Sequence, residues 1–112
     1  MPFVKFADAK RNVVGRGDKI AALAHNEDMF AVHSIMPKGV VKDWQHHEAV
    51  QFYYIVRGKM ELSIGDETQI LEAGDTALVP SNMPHKAVML EETEDVEVFN
   101  DARTDVLEKY FS

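Results

Sequence analysis

Two adjacent histidines stand between two glutamines in "WQHHEAVQ", residues 44–51. If this stretch is extended, neighbouring side chains point to opposite faces. Gln45, His47 and Gln51 then share one side, while Trp44, His46 and Glu48 take the other unless a bulge intervenes. His47 is thereby grouped with two amides and not with His46. Imidazole nitrogen and amide oxygen are both acceptable ligands for a divalent cation, and such a set carries no charge of its own. A further histidine, His85, follows "GDTALVPSNMP", where a Gly-Asp turn, a short apolar run and two prolines fix the chain ahead of it. The alternative, less favoured, is that the same groups form a hydrogen-bonded polar lining of an empty or water-filled barrel. His25 and His33 have no partner at ligand spacing and read as structural.

The elements that must position these groups are short strands. In "KMELSIG", Met60, Leu62 and Ile64 alternate with Lys59, Glu61 and Ser63, the period of a half-buried strand. Comparable runs recur at "KIAALAH", "MFAVHSIM", "QFYYIVR", "TQILE", "TALV", "HKAVML" and "DVEVF", with turn signals at "NED", "PKG", Gly58 and "AGD". Short strands at nearly even spacing predict a β-sandwich or barrel. The acidic run "EETED", residues 91–95, reads as a solvated loop. Only the end departs from the strand pattern. In "ARTDVLEKYF", Val106, Leu107, Tyr110 and Phe111 fall at three-and-four spacing, which predicts a short helix or turn with Asp101 or Thr104 as N-cap.

A chain of 112 residues has room for one core, so a single domain over residues 1–112 is expected. Nineteen acidic against twelve basic side chains give a net charge of −7, the wrong sign for neutralising phosphates, and nucleic acid is not an expected partner. Cysteine is absent, which removes disulfides and thiolate chemistry. No long apolar stretch suggests a membrane segment or a secretory leader, and the expected location is cytoplasmic.

The segment ending at His85 resembles the second motif of the cupin superfamily, with Gly74, Pro80 and His85 in register. Asn82 replaces that motif's second glycine and can still adopt a left-handed backbone; Met89 replaces its final asparagine. The first cupin motif aligns Gly39, allowing one inserted residue, and Gly58 with its two glycines. Gln51 then occupies the glutamate position, His47 that of the second histidine, and Gln45 that of the first. The resemblance covers roughly residues 30 to 100, in proportion to its motifs. It implies an all-β cupin double-stranded β-helix, or jelly-roll barrel, with a short C-terminal helix or turn. It also implies a divalent metal ion (Zn, Ni, Mn or Fe) held by Gln45, His47, Gln51 and His85.

Within that superfamily the chain looks most like the small pectin-degradation cupins that linearise 4,5-unsaturated uronates. Those proteins also carry Gln at the position of Gln51. "EVFNDAR" supplies Glu97, Phe99 and Arg103 at the family's spacing, with Glu97 where the family has Asp. The resemblance implies a metal-dependent enzyme of lyase or isomerase type acting on a small anionic sugar. Glu97, Phe99 and Arg103 would be its catalytic residues, with Glu97 carrying the proton and Arg103 clamping the carboxylate. Two other readings stand beside it: a non-catalytic binding or sensor cupin whose metal site has degenerated at Gln45, and, less favoured for want of a carboxylate ligand, an iron dioxygenase. Strands such as "QFYYIVR" are apolar on both faces, and cupins of this type commonly pair through a sheet, so a homodimer is expected.

Overall fold

The computed structural model describes residues 2–111. Its strands are β1 (Arg11–Val14), β2 (Asp18–His25), β3 (Phe30–Met36), β4 (Val41–Gln45), β5 (Gln51–Arg57), β6 (Met60–Ile64), β7 (Glu67–Leu71), β8 (Thr76–Val79), β9 (His85–Met89) and β10 (Thr93–Phe99), followed by helix α1 (Thr104–Phe111). They form two antiparallel sheets, one ordered β1-β2-β3-β10-β5-β8 and the other β4-β9-β6-β7. The last strand inserts between β3 and β5, and β9 between β4 and β6, so chain-distant segments become neighbours in both layers. This is the jelly-roll arrangement that the strand spacing and the resemblance lead one to expect. Among the described residues, no helix is long and apolar enough to cross a membrane.

Alternation along the strands builds the interior. Tyr53 and Ile55 of β5, Met60 and Leu62 of β6, and Ala87 and Met89 of β9 turn inward into one core cluster. A second cluster gathers Phe30, Phe99 and Ala49 beneath Phe111 of α1. The helix therefore packs one end of the barrel through the three-and-four spacing of its apolar residues.

Three stretches fold otherwise than their composition suggests. Thr93 and Asp95 of "EETED" are fully buried members of β10, and only Glu91 and Glu92 are exposed. The alternation was hidden because carboxyl groups occupy inward positions. Second, "WQHHEAVQ" is not one strand: β4 stops at Gln45, residues 46–50 form a loop, and β5 starts at Gln51. Third, β4 pairs Lys42 with Ala87 and Gln45 with His85, three steps on one strand against two on the other. That extra residue brings both Lys42 and Gln45 to the inner face, which strict alternation forbids. His46 is exposed, as the sequence suggested.

Gly58 closes the β5–β6 turn at φ 98°, and a Cβ there would lie 2.2 Å from the Glu92 carbonyl oxygen and 2.6 Å from Thr93 Cα. Gly58→Ala should destabilise the protein by at least about 2 kcal/mol in urea unfolding, since left-handed strain and backbone overlap add. A loss below about 0.5 kcal/mol, the range of ordinary surface substitutions, would contradict this close approach.

Candidate functional site

A cavity of about 530 Å³ lies between the sheets, and Gln45, His47, Gln51, Glu97, Phe99 and Arg103 all reach its wall. Sheet register explains the convergence. Gln51 lies opposite Phe99, and Tyr53 opposite Glu97, across the β5–β10 ladder. Gln45 lies opposite His85 in the facing sheet. His47 arrives from the loop after β4, not from a shared strand face. The grouping of Gln45, His47 and Gln51 is thus observed, but a bulge and a loop produce it in place of simple parity.

Both inner histidines are fixed by backbone carbonyls. His47 Nδ1 lies 2.8 Å from the Ala49 oxygen and His85 Nδ1 lies 2.9 Å from the Met83 oxygen. A carbonyl only accepts, so each Nδ1 carries the proton and each neutral ring keeps a bare Nε2. The two rings meet edge to face with centroids 5.0 Å apart. His85 is 1% exposed, and its Nε2 has no hydrogen-bond partner. Burial, only partly offset by the Met83 carbonyl, lowers its pKa and keeps it neutral at pH 7.

His47 Nε2 faces Gln51 Oε1 at 3.0 Å, while the Gln51 amide nitrogen donates to Glu97 Oε1 at 2.5 Å. The second contact sets the orientation of the amide. A neutral His47 therefore turns a lone pair toward another lone pair. Either an imidazolium proton or a cation lying against both atoms resolves that conflict. A separation of 3.0 Å also matches two adjacent corners of an octahedron with bonds of about 2.1 Å. Together with the orphaned His85 Nε2, the donor set fits a divalent ion held by Gln45, His47, Gln51 and His85. Among the described residues, no three His, Cys, Asp or Glu side chains are grouped to hold a metal. An ion at this place would therefore depend on the amides.

The acid side of the cavity is built on β10. Glu97 is raised in pKa by burial, against the opposing effects of Asp95, Lys42, Gln51 and Arg103. Asp95 is 0% exposed, and neither of its oxygens has a partner if it is an anion. Burial first, and then the charge of Glu97, push Asp95 well above the usual carboxylate range. A protonated Asp95 donates to Glu97, which leaves Glu97 as the group that exchanges protons with the cavity. Phe99 is a platform: the Arg103 guanidinium lies 4.4 Å from its ring centroid, and the His47 ring meets it at 5.7 Å.

Arg103 has a left-handed backbone, φ 42°, and its N–H donates to Asp101 Oδ1 at 2.8 Å. Its carbonyl accepts from Val106 and Leu107, so Arg103 itself caps α1 in place of Asp101 or Thr104. Its guanidinium donates to both Asp105 oxygens at 3.1 and 3.0 Å. His33 bonds Glu94 at 2.7 Å and His25 the Leu23 carbonyl at 2.8 Å, and neither lines the cavity. Lys42, Asp18 and Ser34 also line it and were missed in the sequence. Asp95 was legible in principle as a carboxyl at an inward position of an alternating strand.

The family model for the cupin domain matches residues 31–100. The chain belongs to the cupin family. This cupin is similar to an RmlC-like cupin from Shewanella frigidimarina, with 27% identity over 94% of this chain and 95% of that one, at a TM-score of 0.89. It is also similar to KdgF from Halomonas sp., with 29% identity over 94% and 99% of the two chains and a TM-score of 0.87. Oxalate decarboxylase of Bacillus subtilis shares the fold at 21% identity and a TM-score of 0.76, with 29% of that longer chain covered. No curated protein matches the chain.

Asp95 has a raised folded-state pKa, so the folded protein binds its proton more tightly than the unfolded chain does. Its contribution improves as pH falls from the folded value toward the unfolded value of about 3.9. The Asp95→Asn variant mimics the protonated acid. In thermal unfolding it should exceed the parent in Tm near neutral pH, with the gap closing toward about pH 4. A variant that is less stable at neutral pH, or a gap that ignores pH, would contradict the assignment.

Proposed function

We propose that this cupin is a metal-dependent enzyme acting on a small anionic sugar, most concretely opening the ring of a 4,5-unsaturated uronate. The observation that carries the reading is the chain His47–Gln51–Glu97, in which one amide joins a candidate ligand imidazole to a proton-carrying carboxyl. Its similarity to KdgF over nearly the whole chain, and the resemblance of "EVFNDAR" to the pectin-degradation cupins, support it.

Gln45, His47, Gln51 and His85 would hold the ion. When bound, it supplies uncompensated positive charge that draws an anionic oxygen and stabilises one as it forms. Arg103, spread on Phe99, is placed to exchange the exposed Asp105 for a substrate carboxylate through two parallel hydrogen bonds. Glu97 serves as the base that takes the hemiacetal hydroxyl proton. The bond between the hemiacetal carbon and the ring oxygen then breaks, the former hemiacetal carbon becomes an aldehyde, and the released enolate becomes a ketone as Glu97 returns the proton to the neighbouring alkene carbon. No net proton is consumed. Burial raises the pKa of Glu97 and so makes it a stronger base than an exposed carboxylate.

A metal-free binding module is the second reading, and Gln45 favours it, because a neutral amide is a weaker ligand than the histidine it replaces. Stoichiometric metal in protein purified without chelator would speak against that reading.

We also propose a homodimer through the outer face of the larger sheet. There Phe52, Tyr54 and Val56 of β5 and Leu78 of β8 are exposed side by side, with Phe52 opposite Leu78. Light scattering should give twice the 12.7 kDa of one chain, and Leu78→Lys should shift it toward one; a parent at 12.7 kDa would contradict the pairing.

For the activity, metal-loaded protein should remove the conjugated double-bond absorbance of an unsaturated galacturonate. Glu97→Gln should lower kcat by about 10²–10⁴-fold. An unchanged spectrum with the metal-loaded parent would remove the proposal.

A further inference from the structure

Past Glu97 the cavity continues to a wall that the ring-opening chemistry does not use. Lys42 faces inward through the β4 bulge and sits opposite Ala87, two residues along β9 from His85. That is a step of about 7 Å beyond the Gln45–His85 pair, close to the span of one six-carbon sugar acid. The Lys42 ammonium donates to Asp18 Oδ2 across the two sheets. Asp18 is 1% exposed, and its second oxygen, Oδ1, has no partner. Ser34 lies on the same wall and is 4% exposed. Its neighbour across the β3–β10 ladder is Asp95, and across the β2–β3 ladder Ile20, two residues from Asp18.

The charges at this wall select a ligand group. Lys42 is already neutralised by Asp18, and Glu97 and Asp95 stand near enough for Lys42 to lower the pKa of each. A second carboxylate would meet more negative than positive charge there. A hydroxyl group suits this wall, since it accepts from the half-exposed ammonium and adds no charge. A half-exposed ammonium held by a fully buried carboxylate is a donor fixed in place for such a group.

We propose that Lys42, with Ser34 beside it, reads the hydroxyl groups at the end of the ligand remote from its carboxylate, and that Asp18 is the positioning residue that holds Lys42 in place. The inference rests on the sugar-acid reading above and narrows it. Polyhydroxylated acids are favoured over plain keto acids or dicarboxylates of the same size.

The test compares two anions of equal charge, galacturonate and tetrahydropyran-2-carboxylate, the second keeping the ring and carboxylate but lacking the hydroxyls. Titration calorimetry on the metal-loaded full chain should show the parent favouring galacturonate at least tenfold. Lys42→Met should lose about tenfold for galacturonate while changing little for the bare ring acid, and in turnover it should raise KM by a larger factor than it changes kcat. Ser34→Ala, a milder change, should show the same selective loss at smaller size and serves if Lys42→Met fails to fold. Equal losses for both anions in a folded variant, or none for either, would overturn the subsite while leaving the uronate reading intact. A parent that binds neither anion would overturn both.

Discussion

Turning the carboxamide of Gln51 over would cost the hydrogen bond that its nitrogen donates to Glu97. Its nitrogen is held by Glu97 at 2.5 Å, which commits its oxygen to face His47 at 3.0 Å. The Ala49 carbonyl fixes a proton of His47 on Nδ1, so the contact between His47 Nε2 and Gln51 Oε1 calls for a positive charge, either an imidazolium proton or a cation. A glutamate at position 51 would supply negative charge to the cavity and remove the donor that Glu97 uses. The amide keeps the ion-binding side neutral and the acid side hydrogen-bonded through a single residue. On the proposed function, ion binding and proton transfer would be linked through this one amide.

Two sheets of different registers make that linkage possible. The β5–β10 ladder sets Gln51 and Glu97 on adjacent inner rows, and the β4 bulge brings Lys42 and Gln45 together from the facing sheet. The interior therefore carries Asp18, Asp95 and Glu97 with few cations, a desolvation cost that stability alone would not select. Met60, Leu62, Ile55 and Met89 at one end, and Phe30, Phe99 and Phe111 at the other, offset it by apolar burial. Asp18 and Glu97 line the cavity, and polar groups retained there at a stability cost are the usual mark of a site shaped by chemistry.

Much of this is legible in the sequence. Alternation in "KMELSIG" and its counterparts gave the strands, and the spacing of Gly39, Gly58, Gly74, Pro80 and His85 gave the cupin barrel. The three-and-four spacing of Val106, Leu107, Tyr110 and Phe111 gave α1. What failed did so for identifiable reasons. A one-residue bulge is invisible to a period-two argument, so Lys42 was assigned no place. Acidic composition concealed the buried start of β10, because the pattern reading weighs a carboxyl as solvent-facing. The grouping of Gln45, His47 and Gln51 was anticipated on the premise of one continuous strand, and the structure reaches it by a loop.

The central claim is that the two amides and two imidazoles share one cation. Anomalous diffraction from crystals soaked with nickel or zinc tests it most directly. The account predicts a single strong peak within about 2.0–2.3 Å of His47 Nε2, His85 Nε2, Gln51 Oε1 and the Gln45 amide oxygen. A peak bound instead by surface carboxylates, or no peak at this place in metal-saturated crystals, would contradict it.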